Sequence, residues 1–200
     1  MAPTFITRIK RDLEEVLSCT EVTQKVISIE PIDDSLCTFK AKISGPPGTP
    51  YEGGTFELSV ILPESYPFKA PEVRCLTKIW HPNISSNTGV ICLDPLKDKW
   101  VVTTSLRLLL LCIQQLLSDA VPDDALDTVA GKQMLEYPHI FHDTAKHWTA
   151  AYAGGPASFE EMDRKIQKLV IIGAKEHDAR VALSTANWNL QEAADNIPFK

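Results

Sequence analysis

The sequence has little of what marks a membrane-spanning or exported protein. Its most apolar run, SLRLLLLCIQQLLSDA at 105–120, is shorter than a bilayer requires and is interrupted by Arg107, Gln114 and Gln115. The N-terminal stretch MAPTFITRIKRDLEEVL lacks the continuous apolar core of a secretory signal peptide. The sequence therefore predicts a soluble protein of the cytoplasm or the nucleus, with no membrane partner.

Basic residues are too few for a general nucleic-acid binder. The chain has 20 Lys and Arg against 26 Asp and Glu, which gives a net charge of -6. A surface with this balance repels phosphate backbones and anionic lipid head groups. We therefore expect no nucleic-acid partner.

The cysteines lack the spacing of a zinc site or of a disulfide framework. There are five, and no two of them form a CxxC pair: Cys19, Cys37, Cys75, Cys92 and Cys112. An odd count without a signal peptide also argues against stapling by disulfides. We predict no metal, and we predict that most of these thiols are small buried hydrophobes, Cys112 in its leucine run included.

What the sequence does contain is the pattern of an α+β protein. Apolar residues recur at helical spacing over residues 5–17, which predicts an amphipathic first helix. Strand-like segments follow, separated by turn-forming sequences such as GPPGTPYEGG and PESYPFKAPE; they lie near 24–30, 36–44, 55–62 and 72–77. Consecutive strands with short links predict an antiparallel meander.

Helices dominate the second half of the chain. The pattern predicts a helix central to the core at 104–118, another at about 127–136, and one ending near Tyr152. GGP at 154–156 reads as a linker, and about 40 residues in a three-helix pattern follow it. In that tail, Ser158 with Glu161 predicts a capping box and Asn189 with Glu192 predicts another helix start.

The segment from His81 to Trp100 has almost no periodicity. It contains turn-forming residues around one cysteine, Cys92, whose neighbours Val90, Ile91 and Leu93 are apolar. A long irregular segment inside a compact domain is usually functional or disordered. Because the cysteine spacing argues against a metal ligand, residue patterns alone leave the Cys92 thiol as a packing group or a nucleophile.

Six motifs in order resemble the catalytic domain of ubiquitin-conjugating enzymes. They are GPPGTPYEGG, YPFKAPEV, the HPN triplet at 81–83, GVICLD around Cys92, Trp100, and the PDD turn at 122–124. The tail resembles a ubiquitin-associated (UBA) domain. The resemblance implies a catalytic domain at 1–153 with a four-stranded antiparallel sheet packed with helices, a linker at 154–157, and a UBA-like three-helix domain at 158–200.

The resemblance implies that Cys92 is a nucleophile that carries ubiquitin as a thioester. Thioester exchange is nearly balanced and needs a presented sulfur more than a strong base, so no histidine has to stand beside it. Asn83 matches the asparagine that would donate to the oxyanion formed when a lysine amine attacks, or would brace its own loop. Asp124 matches the acidic residue that positions the lysine, and Asp94 would shape the same groove. His81 and Pro82 are interpreted as structural.

The implied partners are ubiquitin, the ubiquitin-activating enzyme and RING-type ubiquitin ligases. No tightly bound cofactor is implied, because ATP is consumed upstream by the activating enzyme. The implied partner-binding residues are Arg8, Lys10 and Arg11 on the first helix, Phe68 in one loop, Val101 and Val102 in another, and Ile172 and Gly173 in the UBA-like tail. The tail reads Ile172-Gly173-Ala174 where UBA domains carry Met-Gly-Phe or Met-Gly-Tyr, so an aromatic contact with ubiquitin is missing.

Three functions stay open at this point. The first is a ubiquitin-conjugating enzyme that builds degradation-type polyubiquitin chains, with conjugation of a ubiquitin-like modifier as its variant. The second is a cysteine hydrolase using Cys92, His81 and Asn83, which would need neither activating enzyme nor ATP. The third is a non-catalytic ubiquitin-binding protein.

Overall fold

Four strands joined in sequence order form one antiparallel sheet. The computed structural model of the chain describes residues 3–96 and 99–197, without the side chains of residues 3, 4 and 95. The strands are β1 (Ile27–Pro31), β2 (Thr38–Ser44), β3 (Thr55–Ile61) and β4 (Glu72–Cys75). Neighbours along the chain pair with one another, in the order β1-β2-β3-β4. The predicted meander is confirmed.

The alternation in β3 explains how the sheet obtains its buried face. Leu58 and Val60 are fully buried, whereas Ile61 points outward and is 43% exposed. Val60 stands opposite Phe39 of β2 and Val73 of β4, and both of these side chains are buried. Side chains two apart on a strand share a face, so three strands contribute to one apolar layer.

Five helices surround this sheet in the first part of the chain. They are α1 (Pro3–Ser18), α2 (Thr20–Thr23), α3 (Leu106–Leu116), α4 (Thr128–Glu136) and α5 (Pro138–Ala153). The prediction that α3 is central to the core is correct for the face that carries Leu109 and Ile113. The opposite face lies at the surface, where Leu108 is 48% exposed.

The tail forms three helices, α6 (Glu160–Ile171), α7 (Glu176–Thr185) and α8 (Leu190–Asn196). They share an apolar core of their own that includes Ile166, Leu169 and Leu183. Gly173 follows the end of α6 with a φ of 109°, a conformation that favours glycine.

One of the two helix starts predicted in the tail is correct. The Asn189 side chain caps α8 by accepting from the backbone N–H groups of Gln191 and Glu192. The capping box of Ser158 with Glu161 is wrong, because α6 begins one residue later and has Phe159 at its cap position, with no side-chain hydrogen bond. Glu161 instead pairs with Lys165 at 3.2 Å, one turn along the helix.

The three-helix unit is joined to α4 and α5 by a buried polar network. The Gln133 amide of α4 donates to the Ser184 carbonyl at 2.9 Å and to the Asn187 side chain at 2.8 Å. Its oxygen accepts from the Trp80 indole at 2.8 Å, and the Trp148 indole donates to the Ser184 hydroxyl at 2.9 Å. The bonds from Gln133 and Trp148 to Ser184 and Asn187 cross the joint and fix how the two parts meet, while the Trp80 bond holds the Gln133 amide from its own side.

Within the described residues, no helix combines the length and the apolar character needed to cross a membrane.

Candidate active site

The irregular segment that begins at His81 is held against the edge of the sheet. Val90 forms a bridge with Arg74 of β4, and Ile84 forms a bridge with Ile91. Gly89 makes this approach possible, because its φ is 70° and an added Cβ would lie 2.0 Å from the Cys75 carbonyl oxygen. A side chain at this position is therefore excluded, which accounts for the glycine in GVICLD.

The segment brings Cys92 beside Asn83. The Cys92 backbone N–H donates to the Asn83 carbonyl oxygen at 2.8 Å. The Cys92 side chain is partly exposed and lines a groove of about 400 Å³. The other lining residues are Asn83, Leu93, Asp94, Cys112, Gln115, Leu116, Asp119, Val121 and Asp124. The groove thus collects all four side chains predicted for the catalytic site.

The Asn83 side chain is buried and hydrogen-bonded to the opposite wall of the groove. Its nitrogen donates to the carbonyl oxygens of Val121 at 2.9 Å and Asp124 at 3.1 Å. Its oxygen accepts from the Val121 backbone N–H at 2.8 Å. The sequence predicted a possible brace within the loop of Asn83 itself; the structure instead ties Asn83 to the turn that carries Asp124, 38 to 41 residues further along the chain.

His81 is buried, with both ring nitrogens occupied. Nδ1 accepts from the Asn83 backbone N–H at 2.9 Å, so the proton lies on Nε2, which donates to the Leu116 carbonyl at 3.0 Å. Burial is the main cause that lowers the pKa of His81 from 6.5 to about 4. Pro82 is buried next to it, and its carbonyl accepts from the Asp127 N–H at 2.8 Å. A neutral His81 with two such bonds ties the loop to the end of α3.

The two acidic residues of the groove differ in their surroundings. Asp124 ends a short 3-10 turn, Pro122–Asp124, and its carboxylate is exposed. Asp94 begins another 3-10 turn, Asp94–Leu96, and forms an ion pair with Lys99. Asp94 therefore lies at the rim of the groove just after Cys92, while Asp124 projects from the turn that Asn83 holds.

Cys112 is a second thiol in the groove that the sequence pattern did not predict there. It was predicted to be buried in the leucine run, but it is partly exposed and lines the same groove as Cys92. The missed signal was its register on α3: Cys112 lies four residues after Leu108, which is also exposed. Desolvation raises the pKa of the Cys112 thiol, which disfavours the thiolate needed for attack.

The predicted partner-binding residues of the catalytic part are surface residues, with one exception. Phe68 is 81% exposed, and Val101 and Val102 are 55% and 43% exposed. Lys10 and Arg11 are exposed on α1. Arg8, the third predicted partner-binding residue of α1, is the exception: its side chain is 14% exposed and pairs with the buried Asp12.

In the tail, the loop predicted to bind ubiquitin has exposed residues at its start and a buried residue at its end. Ile172 is 55% exposed and its neighbour Ile171 is 82% exposed. Ala174 is 7% exposed and belongs to the core of the three-helix unit. The described residues contain no cluster of three or more His, Cys, Asp or Glu side chains arranged to hold a metal ion.

Comparison with known proteins identifies this arrangement. Residues 8–149 match the family model described as ubiquitin-conjugating enzyme. The chain is 50% identical to the "Ubiquitin-conjugating enzyme E2-22 kDa" of Drosophila melanogaster, over 98% of this chain and 99% of that protein. It is 44% identical to the human "Ubiquitin-conjugating enzyme E2 K", over 98% of each chain.

Two solved structures of ubiquitin conjugating enzymes are also similar to this chain. A putative ubiquitin conjugating enzyme from Plasmodium yoelii superimposes with a TM-score of 0.72 at 40% identity, covering 78% of this chain and 99% of that one. The E2 domain of a Toxoplasma gondii ubiquitin conjugating enzyme gives a TM-score of 0.68 at 41% identity, covering 74% and 97%.

Proposed function

The chain belongs to the ubiquitin-conjugating enzyme family and is of the huntingtin-interacting protein 2 type, and from this premise we propose how it works. Cys92 accepts ubiquitin from the ubiquitin-activating enzyme as a thioester and passes it to lysine amines. RING-type ligases direct that transfer, and the product is a degradation-type polyubiquitin chain. The observation that carries the proposal is the groove in which Cys92, Asn83, Asp94 and Asp124 converge.

The first step is an exchange between two sulfurs. The Cys92 thiolate attacks the carbonyl carbon of the ubiquitin thioester, a new carbon–sulfur bond forms, and the cysteine thiolate of the activating enzyme leaves. Because one thiolate replaces another, the step needs an accessible sulfur rather than a strong adjacent base. The partly exposed Cys92 side chain on a fixed backbone supports this role.

The second step is attack by a lysine amine on the Cys92 thioester. The neutral amine adds to the carbonyl carbon, the carbonyl oxygen becomes an oxyanion, the amine nitrogen passes a proton to solvent water, and the Cys92 thiolate leaves as the amide bond forms. We propose that the exposed Asp124 carboxylate orients the incoming lysine by attracting its ammonium form and stays near the nitrogen as it gives up its protons to water. Asp94, paired with Lys99, shapes the groove where ubiquitin's last residues lie.

For Asn83, the hydrogen bonds favour a positioning role. Its two N–H donors are used by the Val121 and Asp124 carbonyls, so donation to an oxyanion would require release of one of them. We propose that Asn83 mainly holds the Asp124 turn at its distance from Cys92. Donation to the oxyanion during the reaction is the second way in which it would accelerate lysine attack.

The cysteine-hydrolase alternative is not supported by His81. A hydrolase base would have to take a proton from Cys92 or from water. Both His81 nitrogens are engaged with backbone groups, and its low pKa makes it a weak base. The non-catalytic alternative leaves the groove around Cys92 without a role.

We propose that residues 1–153 form the catalytic domain, residues 154–157 the linker and residues 158–200 a UBA domain whose contribution is mainly structural. The Gln133 network joins it to the catalytic domain. Ala174, which stands where UBA domains carry an aromatic, is buried, so Ile172 and Gly173 make a reduced ubiquitin-binding surface. We place the protein in the cytoplasm or nucleus, with no cofactor of its own.

A charging assay tests the proposal. The chain is mixed with ubiquitin and activating enzyme, with and without ATP, and the products are separated with and without reductant. We expect a band shifted by one ubiquitin that requires ATP and disappears with thiol. Failure of the folded chain to charge would refute the proposed step, and consumption of a model ester without ATP would favour the hydrolase.

A further inference from the structure

Three segments predicted to meet partner proteins are tied to one another by polar contacts. The segments are helix α1, the first loop at 64–68 and the second loop at 100–104. The four side chains that tie them are called the clamp here: Arg8, Asp12, Tyr66 and Trp100. Each pair of segments is connected, so the contacts close a triangle.

The carboxylate of Asp12 is the centre of the clamp. It is fully buried, and both of its oxygens lie 2.9 Å from Nε of Arg8, one turn back on α1. It also accepts a hydrogen bond from the hydroxyl of Tyr66, which is 2% exposed. This bond joins α1 to the first loop. A buried carboxylate with two donors is a strong constraint on both, because loss of either leaves charge unsatisfied.

Arg8 joins α1 to the second loop. Its two terminal nitrogens donate to the Val102 carbonyl at 2.6 Å and to the Thr104 carbonyl at 2.8 Å. Its guanidinium also lies over the Tyr66 ring, 5.6 Å from the centroid. One planar group thus satisfies a carboxylate and two carbonyls at once, which the single ammonium of a lysine cannot reproduce.

Trp100 makes the third connection, between the second loop and the first. Its indole N–H donates to the Pro67 carbonyl at 2.7 Å, which joins the second loop to the first. The Trp100 and Tyr66 rings lie 6.1 Å apart between centroids. The exposed apolar side chains of the two loops project from positions next to these contacts: Phe68 follows Pro67, and Val101 and Val102 follow Trp100.

We propose that Arg8 and Asp12 are positioning residues that hold Phe68, Val101 and Val102 in one fixed surface for the ubiquitin-activating enzyme. The inference rests on the proposed function, which assigns partners to this surface. Loops that are already ordered lose less conformational freedom on binding, so the clamp raises the affinity for a partner without touching it.

The test compares Arg8→Lys and Tyr66→Phe with wild type, using the activating enzyme as the partner. Arg8→Lys keeps the positive charge but loses the planar guanidinium that bonds to the Val102 and Thr104 carbonyls. Tyr66→Phe keeps the aromatic ring but loses the hydroxyl that bonds to Asp12. Arg164→Lys on α6 is the matched control, because Arg164 is an exposed member of an ion pair with Glu160. Charging rates are measured against the concentration of the chain, and backbone hydrogen exchange is measured over residues 101–104.

For Arg8→Lys we expect the KM of the chain in charging to rise roughly tenfold with kcat nearly unchanged, because loss of preorganisation weakens binding rather than chemistry. Exchange over residues 101–104 should accelerate by at least a comparable factor. Tyr66→Phe should raise the KM and the exchange rate over residues 101–104 as well, but by smaller factors. If a thermal melt shows that Arg8→Lys does not fold, the Tyr66→Phe results test the clamp in its place.

An unchanged exchange rate would overturn the clamp, and faster exchange with an unchanged KM would overturn its role in partner binding. A fall in kcat at constant KM would also contradict it, since that pattern indicates a role in the chemical step. A wild-type chain that does not charge would refute the proposed function instead. The exchange measurement would then still decide whether the clamp orders the loops.

Discussion

The loop that carries Cys92 and the joint between α4, α5 and the three-helix unit use buried polar side chains in different ways. In the loop, His81 bonds to backbone groups of Asn83 and Leu116, and the Asn83 amide bonds to backbone groups of Val121 and Asp124. At the joint, most bonds connect one side chain to another. Examples are Gln133 with Asn187, Trp148 with Ser184, and Trp188 with Thr144.

These two bonding patterns serve different structural purposes. A side chain that bonds to distant backbone atoms fixes the path of the chain, and the fixed path then determines where Cys92 and Asp124 stand. Paired side chains across a joint fix how two folded parts meet, and one substitution can break the pair without altering either fold. Substitutions in the loop should therefore affect chemistry first, and substitutions at the joint should affect stability first.

The largest expected effect is on the second chemical step. Asn83→Ala should slow discharge of the Cys92 thioester to free lysine by roughly 10²-fold, because the turn that carries Asp124 would no longer be held, and a displacement of about 1 Å can cost a comparable factor in rate. Loading of Cys92 should fall much less. Asp124→Ala should act in the same direction.

Single-turnover loading and discharge measure the two steps separately. Asn87→Ala is the matched control, since Asn87 lies in the same segment and is exposed. Equal losses in loading and discharge for Asn83→Ala would contradict the division of labour.

The second prediction concerns pH and stability. Since the pKa of His81 falls from 6.5 to about 4 on folding, the unfolded chain binds the proton more readily. The free energy of unfolding should therefore decrease as the pH drops from about 6.5 to about 4, by on the order of 3 kcal/mol from this residue. Below pH 4 the residue should cause no further loss.

Urea unfolding of wild type and of His81→Gln at several pH values isolates this contribution, because other titrating groups are common to both proteins. The wild type should lose more stability than the variant between pH 7 and pH 4. Parallel pH dependence of the two proteins would show that His81 is not buried in its neutral form.

At the joint, Gln133→Ala should reduce the free energy of unfolding by about 1–3 kcal/mol, since it leaves the buried Trp80 N–H without its partner and removes the side-chain bond to the Ser184 carbonyl. It should also speed proteolytic cleavage at residues 154–159, with charging of Cys92 retained. Gln167→Ala, on the exposed face of α6, is the control. Unchanged stability and cleavage would mean that the joint does not depend on Gln133.

The smallest expected effect is on non-covalent ubiquitin binding. The full chain should bind labelled ubiquitin weakly, and Ile172→Ser should change the Kd by less than about fivefold, or roughly 1 kcal/mol, because the aromatic anchor is absent. Ile32→Ser, an exposed position near the end of β1, is the control. Affinity typical of other UBA domains, lost on Ile172→Ser, would contradict a mainly structural tail.

Periodicity predicted the sheet and the main helices because these elements bury one face each. The irregular loops lacked a local signal for their contacts. Asn83 reaches residues about 40 positions away, and Arg8 reaches Val102 and Thr104 across more than 90. Helical spacing in α1 predicts that Arg8 lies near the surface. It cannot predict that the Arg8 guanidinium contacts the buried Asp12 and two carbonyl oxygens of a distant loop.

The candidate site likewise contains residues that the sequence predicted and one that it did not. Motifs in the sequence predicted Cys92, Asn83, Asp94 and Asp124 as site residues, and one groove contains all four. Cys112 was not predicted there because the four leucines before it obscure which face of α3 is at the surface. The capping box at Ser158 was wrong because its pattern is short and the neighbouring Phe159 took the cap position instead.

The central claim is that Cys92, rather than the second thiol of the same groove, carries ubiquitin. The direct measurement is ATP-dependent charging of Cys92→Ser beside Cys112→Ser, separated with and without reductant. We predict that Cys112→Ser forms the thiol-sensitive band at the wild-type rate and that Cys92→Ser gives a thiol-resistant ester or no band. A thiol-sensitive band that persists in Cys92→Ser, or that disappears in Cys112→Ser, would contradict the account.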